Sequence, residues 1–263
     1  MKLDGARVLL TGATGGLGQA IARALAARGA TLVLTGRRGD VLAPLAEELG
    51  ARVIVSDLSD PDAPAALLAE AGEVDVLVAN AGLPGSGRLT TFTAEQIDRA
   101  LDVNLRAPML LAHGLVEAMV ARGRGHLLFM SSLSGRAAAP GTSVYAATKF
   151  GLRGFALALR EDLAPLGVGV SVILPGFISE AGMFAESGAK LPFYVQTKSP
   201  EDVARAVVKA IEGNRAEIDV APLPLRAGAV LASLAPGPVG TIQRKLGANA
   251  TAAQFERGQA DKR

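Results

Sequence analysis

Short runs of consecutive apolar residues alternate with longer segments of helical periodicity along this chain of 263 residues. The runs ARVLLTG, ATLVLTG, ARVIVSD, VDVLVAN, GHLLFMSS and VGVSVIL are rich in β-branched residues and bounded by turn formers, so they predict buried strands. Helices are predicted between them, over roughly residues 16–28, 39–49, 61–71, 93–121, 144–165 and 200–212, with a last short strand near Glu217 to Val220. Strands that are apolar on both faces and alternate with helices form a parallel sheet covered on both sides. The expected fold is therefore a doubly wound α/β domain with about seven strands. No repeat or linker divides residues 1–225, which read as one domain including a long loop at 177–199; residues 226–263 read as a C-terminal extension.

Composition narrows the chemistry. Basic and acidic residues number 27 and 25, too even a balance to suggest a nucleic-acid surface, and no basic patch with interleaved aromatics occurs. With no cysteine, disulfides, thiol nucleophiles and thiolate metal sites are out, and His113 and His126 are too far apart for a histidine metal cluster. The start MKLDGARVLLTG reads as neither signal peptide nor spanning helix, which sets a cytoplasmic expectation.

In open parallel sheets, ligands bind beyond the carboxyl ends of the strands. There the first strand runs into TGATGGLG, Thr11 to Gly18. Gly12, Gly16 and Gly18 allow a tight turn, close approach to a pyrophosphate and close helix packing, with the helix N-terminus facing the anion. Thr14 and Leu17 lie in the same turn. A glycine string alone is only a turn; between a strand and a helix it marks a dinucleotide site of Rossmann type. The second strand ends in Gly36, Arg37 and Arg38, where an acid for a free 2′-hydroxyl is missing and two fork-shaped donors suit a 2′-phosphate. This favours NADP(H), leaves NAD(H) open, and leaves either arginine open as a solvated charge.

The segment SVYAATKF places Tyr145 four residues before Lys149, on one face of a helix. A fixed cation there is expected to lower the pKa of the phenol, making it a better proton acceptor near neutrality. Simple side-by-side packing is the alternative.

With the glycine turn, ANAG after the fourth strand, SS after the fifth and YxxxK in order, the chain resembles the short-chain dehydrogenase/reductase family, in its single-domain branch. The resemblance implies a catalytic set of Asn104, Ser132, Tyr145 and Lys149. It also implies cofactor contacts at Asp57 with its neighbour Leu58, at Asn80, Ala81 and Gly82, and at Pro175, Gly176 and Ile178. Asp57 as a helix cap, Asn80 as a turn former and the serines as turn chemistry remain open readings. In the implied reaction hydride passes between a nicotinamide and a carbonyl or carbinol carbon, while Tyr145 gives or takes the proton, Ser132 bonds the substrate oxygen, Lys149 holds the ribose, and Asn104 holds a helix distortion. Relatives carry threonine four residues after Gly176; here that position is Glu180, preceded by Ser179. The expected function is an NADP(H)-dependent exchange of carbonyl and alcohol on an apolar small molecule, in a homodimer or homotetramer. The competing function is a catalytically silent nucleotide-sensing or interaction module, and an epimerase or dehydratase is a third reading.

The loop at 177–199 contains Met183, Phe184, Leu191, Pro192, Phe193 and Tyr194, an apolar content suited to an apolar substrate. Six bases against two acids give residues 226–263 a charge of +4 within a total of +2. This basic tail is compatible with resting on a membrane surface, covering the substrate pocket, joining subunits, or simply docking.

Overall fold

The computed structural model describes residues 1–189, 191, 195–245 and 247–262. Its order is β1 (Arg7–Thr11), α1 (Gly16–Ala26), β2 (Thr31–Gly36), α2 (Gly39–Leu49), β3 (Arg52–Val55), α3 (Ala63–Ala71), β4 (Val76–Ala79), α4 (Ala94–Leu101) and α5 (Ala107–Ala121). It continues with β5 (Gly125–Met130), α6 (Ser143–Leu163), β6 (Val168–Pro175), α7 (Gly182–Ser187), α8 (Pro200–Gly213), β7 (Glu217–Val220), α9 (Leu223–Leu234), α10 (Pro236–Lys245) and α11 (Ala248–Gln259). The seven strands form one parallel sheet in the order β3-β2-β1-β4-β5-β6-β7. The doubly wound expectation is met.

Successive side chains of a strand point to opposite faces, and both faces are buried. Val8 and Leu10 of β1 join Ile21, Leu25, Leu42, Val207 and Ile211 under α1, α2 and α8. Leu9, on the other face, packs with Leu67, Leu111, Leu115 and Leu152 under α3, α5 and α6. Strand order reverses direction at β1 and β4, which opens a crevice at their carboxyl ends.

Three features differ from the sequence expectation. The helix over 93–121 is broken: α4 and α5 are joined by a π turn, Asp102–Arg106. Pro108, in the first turn of α5, lacks an N–H and its ring crowds the carbonyl four residues back, that of Asn104, so a regular α ladder cannot pass through. Second, the loop after β6 contains the short helix α7 and is drawn together at its ends by a bridge between Ile178 and Lys198. Pro192, Phe193 and Tyr194 of that loop lie outside the described residues. Third, the tail forms helices, and the boundary drawn at residue 225 falls inside α9, which contributes buried Ala229 to the second core.

The last helix docks on α7. Phe255 stacks on Phe177 at 6.1 Å between ring centroids and lies 5.9 Å from Phe184. Glu256 pairs with Arg88 at 3.5 Å, and a side chain at Gly258 would clash with the Ser187 carbonyl. Among the described residues no helix is long and apolar enough to cross a membrane.

Candidate active site

A cavity of about 660 Å³ occupies the crevice. One wall is the turn from β1 to α1, where Gly12 has φ +67° and a Cβ there would lie 2.7 Å from Ala81 Cα. A Cβ on Gly18 would lie 2.7 Å from Ala13 Cα, so α1 meets the turn too closely for any side chain. Gly16 presses against Ala181 in the loop after β6. Thr14 and Leu17 line the cavity with the three glycines.

Thr11, buried at the end of β1, ties this wall to the next. Its Oγ1 accepts from the backbone N–H of Asn80 at 3.1 Å and of Ala81 at 3.0 Å. The Asn80 amide nitrogen donates to the carbonyls of Thr11 and Gly12 at 3.1 and 3.2 Å, so this side chain fastens the two turns together. Asn80, Ala81 and Gly82 line the cavity, as do Pro175, Gly176 and Ile178 at the end of β6.

At the β2 end, exposed Arg37 and Arg38 line the mouth, and Arg38 Nη2 donates to Thr14 O at 3.3 Å. Asp57 and Leu58 line the same end. Asp57 Oδ1 accepts from the backbone N–H and the hydroxyl of Ser59 at 3.0 and 2.8 Å, a turn and not the helix cap left open above, since α3 starts only at Ala63. Burial pushes its carboxyl up, but the two Ser59 bonds and the nearby Arg37 and Arg99 outweigh this and hold it below the ordinary value.

Facing the glycine wall, α6 delivers Tyr145 and Lys149 one turn apart. Lys149 is buried; its Nζ donates to Met130 O at 2.9 Å and sits 5.6 Å from the Tyr145 ring centroid. Ser132 lines the cavity beside the tyrosine, bonds to it and accepts from Ser134 N–H at 3.1 Å. Ser131 is turned away, donating to Lys149 O at 2.9 Å.

The phenol departs from the sequence expectation. Burial pushes Tyr145 up to about 12, the Ser132 hydrogen bond opposes it only in part, and the ammonium, given over to Met130 O, does not offset burial. Burial likewise pushes Lys149 down, to about 8. The folded lysine thus loses its proton near pH 8 and the unfolded one near 10.5. Between these values the unfolded chain binds more protons, so stability rises with pH. We expect Lys149→Met to remove a rise on the order of 3 kcal/mol over that window, read from urea midpoints, and not to destabilise the fold at pH 7. An equal rise in the variant refutes the assignment.

Asn104 does not line the cavity. It is fully buried in the π turn, where Oδ1 accepts from Leu83 N–H at 2.6 Å and Nδ2 donates to Leu83 O at 3.0 Å. At the departure from family pattern, neither Ser179 nor Glu180 lines the cavity. Ser179 donates to Lys198 O at 3.2 Å, and Glu180, with φ +68°, faces a separate depression with Arg23 and Arg205. Ala181, Gly182 and Met183 line the cavity instead.

Sequence reasoning missed Arg99, Val103 and Glu186 on the lining, and Gln259 and Asp261 from the tail. Val103 follows from the π turn, for which Pro108 is the available signal. Gln259 and Asp261 carry no local signal, since only the docking of α11 brings them in.

These walls fit a nicotinamide dinucleotide: a cradle that any Cβ would fill, two guanidinium groups at one end, and a phenol and an ammonium at the other. The short chain dehydrogenase family model matches residues 6–192. The chain belongs to the short-chain dehydrogenase family. It is 35% identical over 246 residues to the ketoacyl reductase HetN of a Nostoc species, covering 90% of this chain and 86% of that one. A short-chain dehydrogenase from Sphingobium yanoikuyae, solved in complex with NADPH, matches with a TM-score of 0.74 and 28% identity, over 90% of this chain and 95% of that one. A metagenomic short-chain oxidoreductase in complex with NADP matches with a TM-score of 0.69 and 34% identity, over 84% and 99%. This short-chain dehydrogenase is accordingly an NAD(P)-dependent oxidoreductase.

Proposed function

We propose that this short-chain dehydrogenase uses NADPH to reduce the carbonyl of an apolar small molecule, with Tyr145 as the proton donor. The observation that carries this reading is the meeting of Tyr145, Ser132 and Lys149 on one wall of a cavity whose opposite wall is the glycine turn. Gly12, Thr14, Gly16, Leu17 and Gly18 would hold the pyrophosphate side, Asp57 and Leu58 the adenine side, and Asn80, Ala81, Gly82, Pro175, Gly176 and Ile178 the nicotinamide side. The bound nicotinamide supplies or accepts hydride at the substrate carbon. Tyr145, with its pKa near 12, is neutral at physiological pH and holds a proton ready for the oxygen that gains charge. Ser132 hydrogen-bonds the same oxygen and fixes its approach. Lys149, a cation below about pH 8, would hold the ribose with the two N–H groups not given to Met130. Asn104 acts at a distance, holding the Leu83 turn and the π turn in register.

Met183, Phe184, Leu83 and Pro84 give the cavity an apolar flank. With the ketoacyl reductase of Nostoc as a relative, this supports a ketoacyl compound as substrate. The decisive experiment follows NADPH absorbance across a panel of 3-oxoacyl thioesters, simple ketones and aldehydes. Turnover abolished by Tyr145→Phe supports the reading. Cofactor binding with no turnover across the panel, unchanged by that substitution, leaves the silent nucleotide-binding module.

Preference for NADPH rests on Arg37 and Arg38. Replacing both by alanine is expected to weaken NADPH binding about 10–100-fold through lost charge-assisted hydrogen bonds, with NADH binding nearly unchanged. Equal affinities of variant and wild type for NADPH reject the assignment. Exposed Met109 and Leu110 on α5 and Phe150 on α6 support a homo-oligomer built on these helices, which light scattering at several concentrations tests.

A further inference from the structure

The outer side of α9 is apolar. Leu223, Ala227, Val230, Leu231 and Leu234 recur at helical spacing on one face, and all five are exposed. The opposite side, with Leu225 and Ala229, already packs into the second core, so the outer stripe is not what holds the helix in place. Leu234 and Leu223, at 77% and 73%, are the most exposed large apolar side chains among the described residues. Helix α10 packs on α9 and adds exposed Ile242, three residues before Lys245. Single exposed leucines are ordinary, whereas a group of them on adjoining helices marks a surface that meets something apolar.

Charge selects what that is. No acid occurs from Val220 to Phe255, and the bases of that stretch are Arg226, Arg244 and Lys245, all exposed. The flanking acids are mostly buried and already paired, Asp219 with Arg136 and Arg226, and Glu256 with Arg88. Arg244 donates to a neutral hydroxyl, that of Thr241, at 3.0 Å. A second copy docked on this face by two-fold symmetry would set cations against cations. An acidic protein surface would answer the cations and leave the leucines unmatched. A bilayer with anionic headgroups answers both: leucines sink toward the acyl boundary while guanidinium and ammonium heads reach the phosphates.

We propose that α9 and α10 seat this protein on an anionic phospholipid surface, with Leu223, Leu231, Leu234 and Ile242 inserted among the headgroups. The contact lies one helix away from the cavity: Gly176 lines the cavity, and a Cβ on it would lie 3.1 Å from Leu225 Cδ2 on the inner side of α9. The inference goes beyond the carbonyl-reductase reading and stands whether or not the protein turns over a carbonyl compound.

The test is flotation of the full chain with vesicles of phosphatidylcholine alone and with about a third phosphatidylglycerol. Wild type is expected to partition onto the anionic vesicles at least about ten-fold better than onto the neutral ones, and less well as salt rises. The double variant Leu231→Ser with Leu234→Ser, and separately Arg244→Gln with Lys245→Gln, are each expected to lower partition onto anionic vesicles about ten-fold or more, with the Kd for NADPH unchanged. The chain has no tryptophan, so Leu234→Trp supplies an emission that reports its own surroundings, and binding should shift it to the blue. Absence of wild-type binding to anionic vesicles, binding that survives both double variants, or bound Leu234→Trp with unshifted emission overturns the proposal. Vesicle binding absent while the leucine variant lowers the mass seen by light scattering also overturns it, in favour of a second copy. Retention on immobilised polyglutamate without vesicle binding overturns it in favour of an acidic protein. Should the leucine variant melt early, the cation variant and the comparison of the two vesicle types decide.

Discussion

Tyr145→Phe is expected to lower kcat for carbonyl reduction by a factor on the order of 10²–10⁴, with the Kd for NADPH held within about two-fold. The substitution removes one oxygen and leaves the ring in place under Lys149 Nζ, 5.6 Å from its centroid, so the fold of α6 and the position of the ammonium have no reason to change. What disappears is the proton source facing Ser132. General acid catalysis by a positioned group contributes about that factor, so the loss belongs in kcat, with KM largely spared. Stopped-flow reduction at saturating cofactor, together with a fluorescence titration of NADPH, separates the two quantities. Wild-type kcat in the variant would place the proton donor elsewhere.

The second large effect is on stability. Asn104→Ala is expected to cost about 2–5 kcal/mol, because it strands both the N–H and the carbonyl of Leu83 in a buried environment. In a domain of this size about 2–4 °C of melting temperature is lost per kcal/mol. The damage should also reach the site without touching a ligand directly. Leu83 follows the Asn80–Gly82 turn, and a Cβ on Gly82 would lie 3.3 Å from Asn104 Oδ1 and 3.6 Å from Lys149 Nζ, so the turn, the asparagine and the lysine share one crowded corner. Asn104→Asp keeps the acceptor for Leu83 N–H but sets a carboxylate against Leu83 O, and it should fall between alanine and wild type. Calorimetric melting of the three proteins tests the order, and a melting temperature unchanged in Asn104→Ala contradicts the bonding scheme.

The positions of Tyr145 and Lys149 were legible because a helical repeat is a local rule: four residues apart means one face, wherever the helix ends up. Their electrostatics were not. The expected lowering of the phenol pKa assumes that the ammonium acts on the oxygen, whereas Met130 O, brought from β5, holds the ammonium and burial dominates the phenol. Asn104 was legible as a site residue only through family resemblance, and its place behind the wall depends on a π turn that Pro108 imposes and that periodicity alone does not reveal. Glu180 was readable as a departure from pattern, but its aim away from the cavity follows from a left-handed backbone at that position.

By itself the sequence determined the alternation of strands and helices, the two buried faces of the sheet, the glycine cradle at the end of β1 and the pairing of phenol with amine on α6. Each of these depends on residues within a turn or two of one another, where sterics and periodicity act directly on the chain. Tertiary structure alone decided which carbonyl holds Lys149, how far burial lifts the tyrosine, and that α11 reaches back across the sheet to set Gln259 beside the cavity. Those outcomes depend on desolvation and on contacts between residues far apart in the chain, and neither is encoded in any local pattern.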